Sequence, residues 1–366
     1  MNYFIFIQKC VLIVFLLGGC SHTNSDKKIT HSVDLSGVGI VNLPVDISGE
    51  YNAKILNLSN NNMTDLPDTI KKFKQLEYLD LSNNKIEEIP SVLYEMKSLK
   101  KIKLDNNNII YLRSLFNKLT NLEELSIRNN KIKNISRDFS LLNSLKILDL
   151  TGNQIEKFDD LFFPQLKILT LSRNNIFLFP ETVITENIKI INVSNNKIRR
   201  IPDSIKNATS LNVLNLSGNK IWYIPADIDG LVSLKSFDLS YNELSYLIPE
   251  ITKIFALEEL YLDGNKIKSI PHSIKSLSNL KRLSLKNNEL SEVPLIIFDN
   301  DFNLFEIYLN NNNFFISNEI LSKKSYYTVD LRGNKMKSDI KSDLLKYKVT
   351  NGIQNVFGDK KNVIRL

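Results

Sequence analysis

Apolar side chains recur along the chain in a fixed phase. The stretch LEYLDLSNNKIEEIP, from Leu76 to Pro90, has apolar residues at positions 1, 4 and 6, an Asn at position 9 and an apolar residue at position 11. Copies follow at steps that are mostly 23 residues long. Residues two apart in a strand share a face, so positions 4 and 6 are predicted to point into a core, and positions 3, 5 and 7 outward.

The Asn at position 9 marks thirteen copies, which we number repeats 1 to 13. They are Asn61, Asn84, Asn107, Asn130, Asn153, Asn174, Asn196, Asn219, Asn242, Asn265, Asn288, Asn312 and Asn334. A turn before them fits the same phase through Val33, Leu35 and Ile40, but Val38 stands where the Asn would be. We therefore expect this turn to be an N-terminal cap. One such strand cannot bury its apolar face alone, so stacked copies are predicted to pair as a parallel sheet over one core.

The pattern LxxLxLxxNxI resembles the leucine-rich repeat family over about residues 30 to 337. The resemblance implies an α/β solenoid of about 14 turns, a curved horseshoe with a parallel sheet on its concave face. It also implies a scaffold that fixes shape and leaves the ligand to the variable outward positions.

The repeated Asn has a structural explanation. Where the chain turns off each strand, buried backbone groups need partners, and an inward carboxamide can bond the backbone of its own turn and of the neighbouring one. We therefore expect a ladder of asparagines with no catalytic role.

Pairs such as Ile89-Pro90 mark the return path of most repeats. Proline removes a donor and fixes φ, so this side is predicted to be irregular, 3₁₀ or short helix. Three turns lack the Pro, at Leu112, Ile135 and Phe158, and we expect those to be more helical. Trp222 follows a core position on this path and is predicted to pack on the convex side.

The two ends of the chain differ from the repeats. Residues 338–366 are predicted to form a C-terminal cap or tail, with an amphipathic helix over 338–348. Residues 1–19 have the short apolar run and small residues of a signal peptide. The stretch from Leu17 to Cys20 resembles the lipobox of bacterial lipoproteins. That resemblance implies cleavage, lipidation of Cys20 and a tether over residues 20–29; an ordinary signal peptide is the alternative.

Such a lipoprotein would lie in a bacterial envelope. The sorting pattern of bacterial lipoproteins implies the outer membrane if the cell has two, because Ser21 rather than Asp follows the Cys. The sequence leaves open which side of that membrane the solenoid faces.

Composition excludes little but limits the chemistry. The chain is 43% apolar and 24% charged, with a net charge of +7, a mild excess that is a weak argument for nucleic acid. The outward strand positions nearly cancel in charge, so we expect the excess to be scattered and no nucleic acid to bind. The three histidines lie in no metal-ligand spacing and no glycine-rich phosphate loop is present. We expect no enzyme activity, cofactor or metal.

The outward positions form columns with one residue per repeat. In column 3, Lys101 and Glu124 are predicted to pair, as are Glu259 and Arg282. Between these pairs lies an apolar stretch flanked on one side by lysines that are predicted to have no adjacent acid and on the other by polar residues. We predict a protein partner on these residues: Ile147, Ile168, Ile190 and Val213; Lys146, Lys167 and Lys189; Asp149, Thr170, Asn192, Asn215 and Asp238. Strand propensity alone is the other explanation of the apolar stretch.

A second candidate site is aromatic. Tyr261 and Tyr308 lie two repeats apart in column 5, with Tyr241 nearby. Exposed rings beside Asp238 could stack on sugar rings, which gives carbohydrate recognition as the alternative function. Rings that cover each other on the sheet are the structural explanation.

Overall fold

The computed structural model describes residues 31–43, 50–112, 118–158, 160–298, 304–316, 328–336 and 363–365. Residues 32–366 form a compact unit separate from residues 1–31. Within it, one parallel sheet of fifteen described strands takes its strands in chain order. They are Ser32–Asp34, Ile55–Asn57, Tyr78–Asp80, Lys101–Lys103, Glu124–Ser126, Ile147–Asp149, Ile168–Thr170, Ile190–Asn192, Val213–Asn215, Ser236–Asp238, Glu259–Tyr261, Arg282–Ser284, Glu306–Tyr308, Thr328–Asp330 and Val363–Arg365.

The strands pair in the register that the repeat predicts. Each position faces the same position of the next repeat, so that Ile168 pairs with Ile190 and Ile190 with Val213. Position 4 is buried in every repeat strand, and positions 3 and 5 are partly exposed almost throughout. Leucines and isoleucines from positions 1, 4, 6 and 11 form one continuous core. The predicted parallel-sheet solenoid is confirmed.

The prediction that position 7 points outward is wrong for the six repeats in which this residue is buried, and right for the other seven, in which it is partly or fully exposed. Ser82 is only 8% exposed, and Ser194 and Ser240 are buried as well. Each strand ends at position 5, so strict alternation stops there. The Asp80 carboxylate accepts a hydrogen bond from the Ser82 amide at 2.9 Å, which turns the chain inward.

Position 8 is left-handed in all fourteen turns, with φ between 50° and 71°. Glycine and asparagine tolerate this conformation at low cost. Twelve of the fourteen residues are Gly or Asn, which explains the recurring Asn-Asn and Gly-Asn pairs. The exceptions are Arg173 and Tyr241, each at φ 55°.

The asparagine ladder is confirmed. The Asn196 Oδ1 accepts from the Ile176 amide at 2.9 Å, and its Nδ2 donates to the carbonyls of Leu171 at 2.9 Å and Val193 at 3.0 Å. Asn61 serves the cap turn in the same way, through Ile40 and the Leu35 carbonyl. Each Asn bonds backbone groups of the turn before its own, so the cap turn needs no Asn at position 9.

Short 3₁₀ helices lie on the return path, as predicted, and all but one of the described ones begin at or directly after a proline. The described ones are Asp68–Lys72, Ser91–Glu95, Arg137–Leu141, Glu181–Val183, Asp203–Asn207, Ala226–Gly230, Pro249–Lys253, His272–Ser276 and Leu295–Phe298. Among the described residues, no helix is both long and apolar enough to cross a bilayer.

Two of the turns that lack Pro begin with a short strand, which was not expected, and a 3₁₀ helix, Arg137–Leu141, follows the strand in the second of them. Tyr111–Leu112 pairs with Asn134–Ile135 as a small parallel sheet, because neighbouring turns without Pro keep the amide donors that a ladder requires. Phe315–Ile316 and Lys335–Met336 form a second such pair. Three predicted features lie wholly outside the described residues: the helix over 338–348, the candidate Cys20 and the proposed tether over 20–29.

Candidate partner-binding surface

The outward face of the sheet holds the predicted apolar stretch in one row. Ile147, Ile168, Ile190 and Val213 are consecutive in register and each is partly exposed. Backbone pairing fixes their spacing at roughly 4.8 Å. We call these four residues the apolar stripe.

Ion-pair ladders occupy column 3 and its neighbour on both sides of the apolar stripe. On the N-terminal side Glu77 lies 2.9 Å from both Lys54 and Lys100, and Lys101 pairs with Glu124. On the C-terminal side Arg282 pairs with Glu259 at 3.2 Å and Glu306 at 2.6 Å. The predicted self-pairing is therefore present, and the stripe is the uncharged interval between two ladders.

One of the three flanking lysines was wrongly predicted to lack an acid. The Lys146 Nζ lies 2.8 Å from Glu123 of the preceding repeat, one strand spacing away. Lys167 and Lys189 are exposed and form no ion pair with any described residue. The unpaired positive charge therefore lies beside Ile168 and Ile190, in repeats 6 and 7.

The polar residues on the other side of the stripe mostly shape the chain turn. Asp149, Asn192, Asn215 and Asp238 each accept a hydrogen bond from the amide two residues on, at 2.9 to 3.1 Å. The Thr170 hydroxyl is buried without a hydrogen bond among the described residues. This column therefore has a structural role that its sequence does not reveal, and its side chains form the polar wall of the stripe.

Asp238 lies at position 5, where Asn192 and Asn215 accept the same turn hydrogen bond without carrying a charge. Burial raises the pKa of the Asp238 carboxyl to about 6, with a further contribution from the charge of Asp263. Asp263 is 1% exposed, and burial raises its pKa also, although Ser284 and Lys286 donate to it. Two adjacent repeats thus place acids with raised pKa values at the edge of the sheet face.

Two of the three candidate glycan-binding tyrosines are engaged by their own neighbours. The Tyr261 hydroxyl accepts from Arg282 at 2.9 Å, and Tyr308 donates to Glu306 at 3.0 Å. The Lys286 ammonium lies 4.5 Å from the Tyr308 ring centroid. Neighbouring charged side chains therefore already hold both tyrosines.

Tyr241 is the most exposed of the three tyrosines. It is 53% exposed, and a Cβ built on Gly264 would come within 2.6 Å of its ring, so the ring lies directly over that glycine. Its left-handed backbone costs on the order of 1 kcal/mol relative to Gly or Asn. Arg173, exposed in repeat 6, carries the same cost. Sequence reasoning named Tyr241 only as a possible glycan contact and missed Arg173; the signal was a bulky side chain where every other repeat has Gly or Asn.

The part of the chain that the structure describes contains no group of three or more His, Cys, Asp or Glu residues able to hold a metal ion.

Family models match most of the repeat region. A "Leucine-rich repeat region" model matches residues 46–170, a "Leucine rich repeat" model matches 164–221 and 186–244, and a two-copy repeat model matches 256–296. A comparison with curated protein sequences finds none that matches.

Solved structures share the fold. A leucine-rich repeat protein of Leptospira interrogans is 30% identical, with a TM-score of 0.76, and the match covers 84% of this chain and 79% of that one. An internalin of Listeria monocytogenes is 20% identical, with a TM-score of 0.63, over 84% of this chain and 82% of that one. The plant peptide hormone receptor RGFR1, solved in complex with RGF2, is 23% identical, with a TM-score of 0.67. That match covers 81% of this chain and only half of the receptor chain.

We predict that Asp238→Asn stabilises the protein at pH 7.5 by roughly 1–2 kcal/mol. The folded pKa lies near 6 and the unfolded value near 3.9. The free energy of unfolding of the wild type therefore rises as pH falls through 6. Above pH 6 it is lowered by the cost of burying the charged carboxylate. The amide keeps the acceptor for the Ser240 amide, as Asn215 does for Ser217. Urea unfolding at pH 5 and 7.5 measures the difference.

The matched control is Asp80→Asn, at the same position of repeat 2. Asp80 accepts from the Tyr78 hydroxyl at 2.9 Å and lies 3.8 Å from the Lys103 ammonium, so this change is expected not to stabilise the protein. An equal gain in both variants, or none in Asp238→Asn, would contradict the assignment.

Proposed function

This chain belongs to the leucine-rich repeat family, and from that premise we propose that it is a non-enzymatic binding protein whose partner is a protein held on the sheet face. The apolar stripe carries this proposal. It is the interval where exposed strand residues are neither charged nor paired, although the ladders on both sides show that the same column accommodates ion pairs.

The composition of the surface indicates the partner's chemistry. Interfaces combine an apolar centre with a polar rim, and a few central residues supply most of the binding energy. Here Ile168 and Ile190 form the centre, and Lys167 and Lys189 form a positive rim with no acid of their own. A partner with an apolar ridge flanked by carboxylates would complement both features.

Support for a protein partner over a glycan comes from the tyrosines. Stacking on a sugar requires an accessible ring face, whereas Tyr308 lies under the Lys286 ammonium and Tyr261 is bonded to Arg282. Among known structures of this fold, the receptor RGFR1 was solved in complex with RGF2, which is a precedent for polypeptide capture on this scaffold.

We further propose that the chain is held in a bacterial envelope by lipid on Cys20. The support is the sequence from Leu17 to Cys20 after a short apolar run. Acyl chains contribute about 0.8 kcal/mol per buried methylene, so two or three would retain the protein on a membrane without a spanning helix.

Cys20→Ser is expected to release the protein from membranes washed with high salt, since the serine cannot form the thioether and salt screens attraction to anionic lipid. Cys10→Ser, inside the predicted signal segment, is the control and should leave fractionation unchanged. Fractionation and the intact mass of the mature chain measure the outcome. A Cys20→Ser chain that stays on salt-washed membranes and differs in mass from the wild type only by the substitution itself would exclude the anchor.

The partner site is tested by affinity capture. Residues 27–366, which contain the whole compact unit 32–366, are immobilised and exposed to envelope extract and host serum. Ile168→Lys with Ile190→Lys should reduce retention of the partner at least tenfold, because the complex would bury two unpaired charges. The changed residues lie outside the core and the asparagine ladder.

Ile55→Lys makes the same change at the same position of repeat 1 and should leave retention intact. Retention that survives all of these changes would mean that the apolar stripe reflects strand propensity alone.

A further inference from the structure

The chain's positive charge is concentrated on one edge of the solenoid. Position 11 is buried in repeats 1 to 12, while positions 10, 12 and 13 around it are exposed along most of this edge. In repeats 3 to 10 these three positions carry nine cations and only two carboxylates, Glu156 and Glu243. The expectation of a scattered charge is therefore wrong: it was based on the strand positions, and the excess lies beyond them. We call these positions of repeats 3 to 10 the loop-edge strip.

The cations of the loop-edge strip form no ion pairs with the described part of the chain. Lys197, Arg199, Arg200 and Lys220 are exposed, and no described residue forms an ion pair with them. Elsewhere on the solenoid, exposed cations often have acids: Lys206 lies 2.7 Å from Asp227 on the 3₁₀ side. The strip therefore departs from the charge balance of the other surfaces.

Apolar and aromatic side chains alternate with these cations. Trp222 is 57% exposed and Leu178 47% exposed, and Phe177, Tyr223 and Tyr246 are exposed beside them. The Trp222 and Tyr223 ring centroids are 5.7 Å apart. The prediction that Trp222 packs on the convex side is wrong. Polar or charged residues fill these positions in repeats 2, 4, 5 and 10, so the apolar ones are not a requirement of the fold.

Backbone contacts make the strip continuous. The Trp222 amide donates to the Arg199 carbonyl at 3.3 Å, and Arg200 and Tyr223 form a parallel bridge. Ile110 and Tyr111 extend the exposed apolar residues to repeat 3. At roughly 4.8 Å per turn, the strip is about 34 Å long.

We propose that the loop-edge strip docks on an anionic phospholipid bilayer. Trp and Tyr favour the membrane interface, and neighbouring Lys and Arg are attracted to anionic headgroups. Binding of this kind depends on buried apolar area together with electrostatic attraction, and the strip supplies both along its length.

The same features disfavour other occupants. A second copy of the chain, packed strip to strip, would place four or more unpaired cations against each other. A nucleic acid or an acidic polysaccharide would use the cations but would leave Leu178 and Phe177 exposed to water. The inference is independent of the proposed protein partner and of Cys20, since it uses residues of neither.

Trp222 is the only tryptophan in the chain and reports directly on insertion. Residues 27–366 are titrated with vesicles of phosphatidylcholine alone and of phosphatidylcholine with phosphatidylglycerol. We expect a blue shift of Trp222 emission and at least tenfold stronger partitioning with the anionic vesicles, weakened by added salt. Absence of any shift with anionic vesicles would overturn the proposal.

Two variant pairs separate the contributions. Arg199→Glu with Arg200→Glu should weaken partitioning at least tenfold, and Lys74→Glu with Lys275→Glu, exposed on the 3₁₀ side, should change it less than twofold. Phe177→Ser with Leu178→Ser should weaken partitioning severalfold. The control for the apolar pair is Val232→Ser with Phe255→Ser, at exposed apolar positions on the 3₁₀ side, which should leave partitioning nearly unchanged.

Equal losses in the strip variants and their controls would overturn the proposal. So would retention on heparin without any partitioning into vesicles, which would assign the strip to a polyanion instead.

Discussion

Each turn of this solenoid leaves its strand with buried amides and carbonyls that need hydrogen-bond partners, and the rest of the structure depends on how they are satisfied. An unsatisfied buried group costs about 1–3 kcal/mol, so thirteen turns left open would exceed the stability of an ordinary domain. The position-9 asparagines meet this requirement by bonding two carbonyls and, in twelve cases, the position-11 amide of the preceding turn. Because each Asn links two turns, it also fixes the spacing at which the strands pair.

That fixed spacing separates stability from function in this chain. Positions 1, 4, 6, 9 and 11 supply the core and the ladder, and positions 3, 5, 10, 12 and 13 vary without disturbing them. The chain uses the variable positions in three ways. It builds self-paired ion ladders at both ends of the sheet face, an apolar stripe between them, and a cationic aromatic strip on the loop edge. The second and third place two candidate interaction surfaces on overlapping repeats.

Most of the fold could be predicted because one rule repeats. The phase of the apolar residues determines which positions are buried in each strand, and a side chain with two donors and an acceptor at a fixed phase predicts the ladder. The prolines likewise predict the 3₁₀ side. The burial of Ser82 could not be predicted, because it depends on where the three-residue strand stops. The absence of Pro was equally ambiguous. A residue other than Pro supplies a backbone amide donor, which can join a helix or, as at Asn134–Ile135, a strand pair.

The candidate sites were harder to predict than the fold, because charge pairing and exposure depend on the neighbouring turn. Lys146 was expected to lack an acid, yet Glu123 lies within reach from the preceding repeat. Trp222 follows a core position in sequence but projects away from the core. Arg173 and Tyr241 are informative for the opposite reason, since each departs from a backbone rule that twelve other turns obey. Departures of this kind are where function is expected to override local preference.

The central claim is that the asparagine ladder holds the turns together, and hydrogen exchange at the Ile176 amide tests it most directly. This amide lies outside the strands and donates to Asn196 Oδ1. In the wild type it should exchange as slowly as the strand amide of Ile190, and in Asn196→Ala at least tenfold faster, a change of about 1.4 kcal/mol. Asn143→Ala, at an exposed position outside the ladder, should leave its exchange unchanged. Protection of Ile176 that persists in Asn196→Ala would contradict the account.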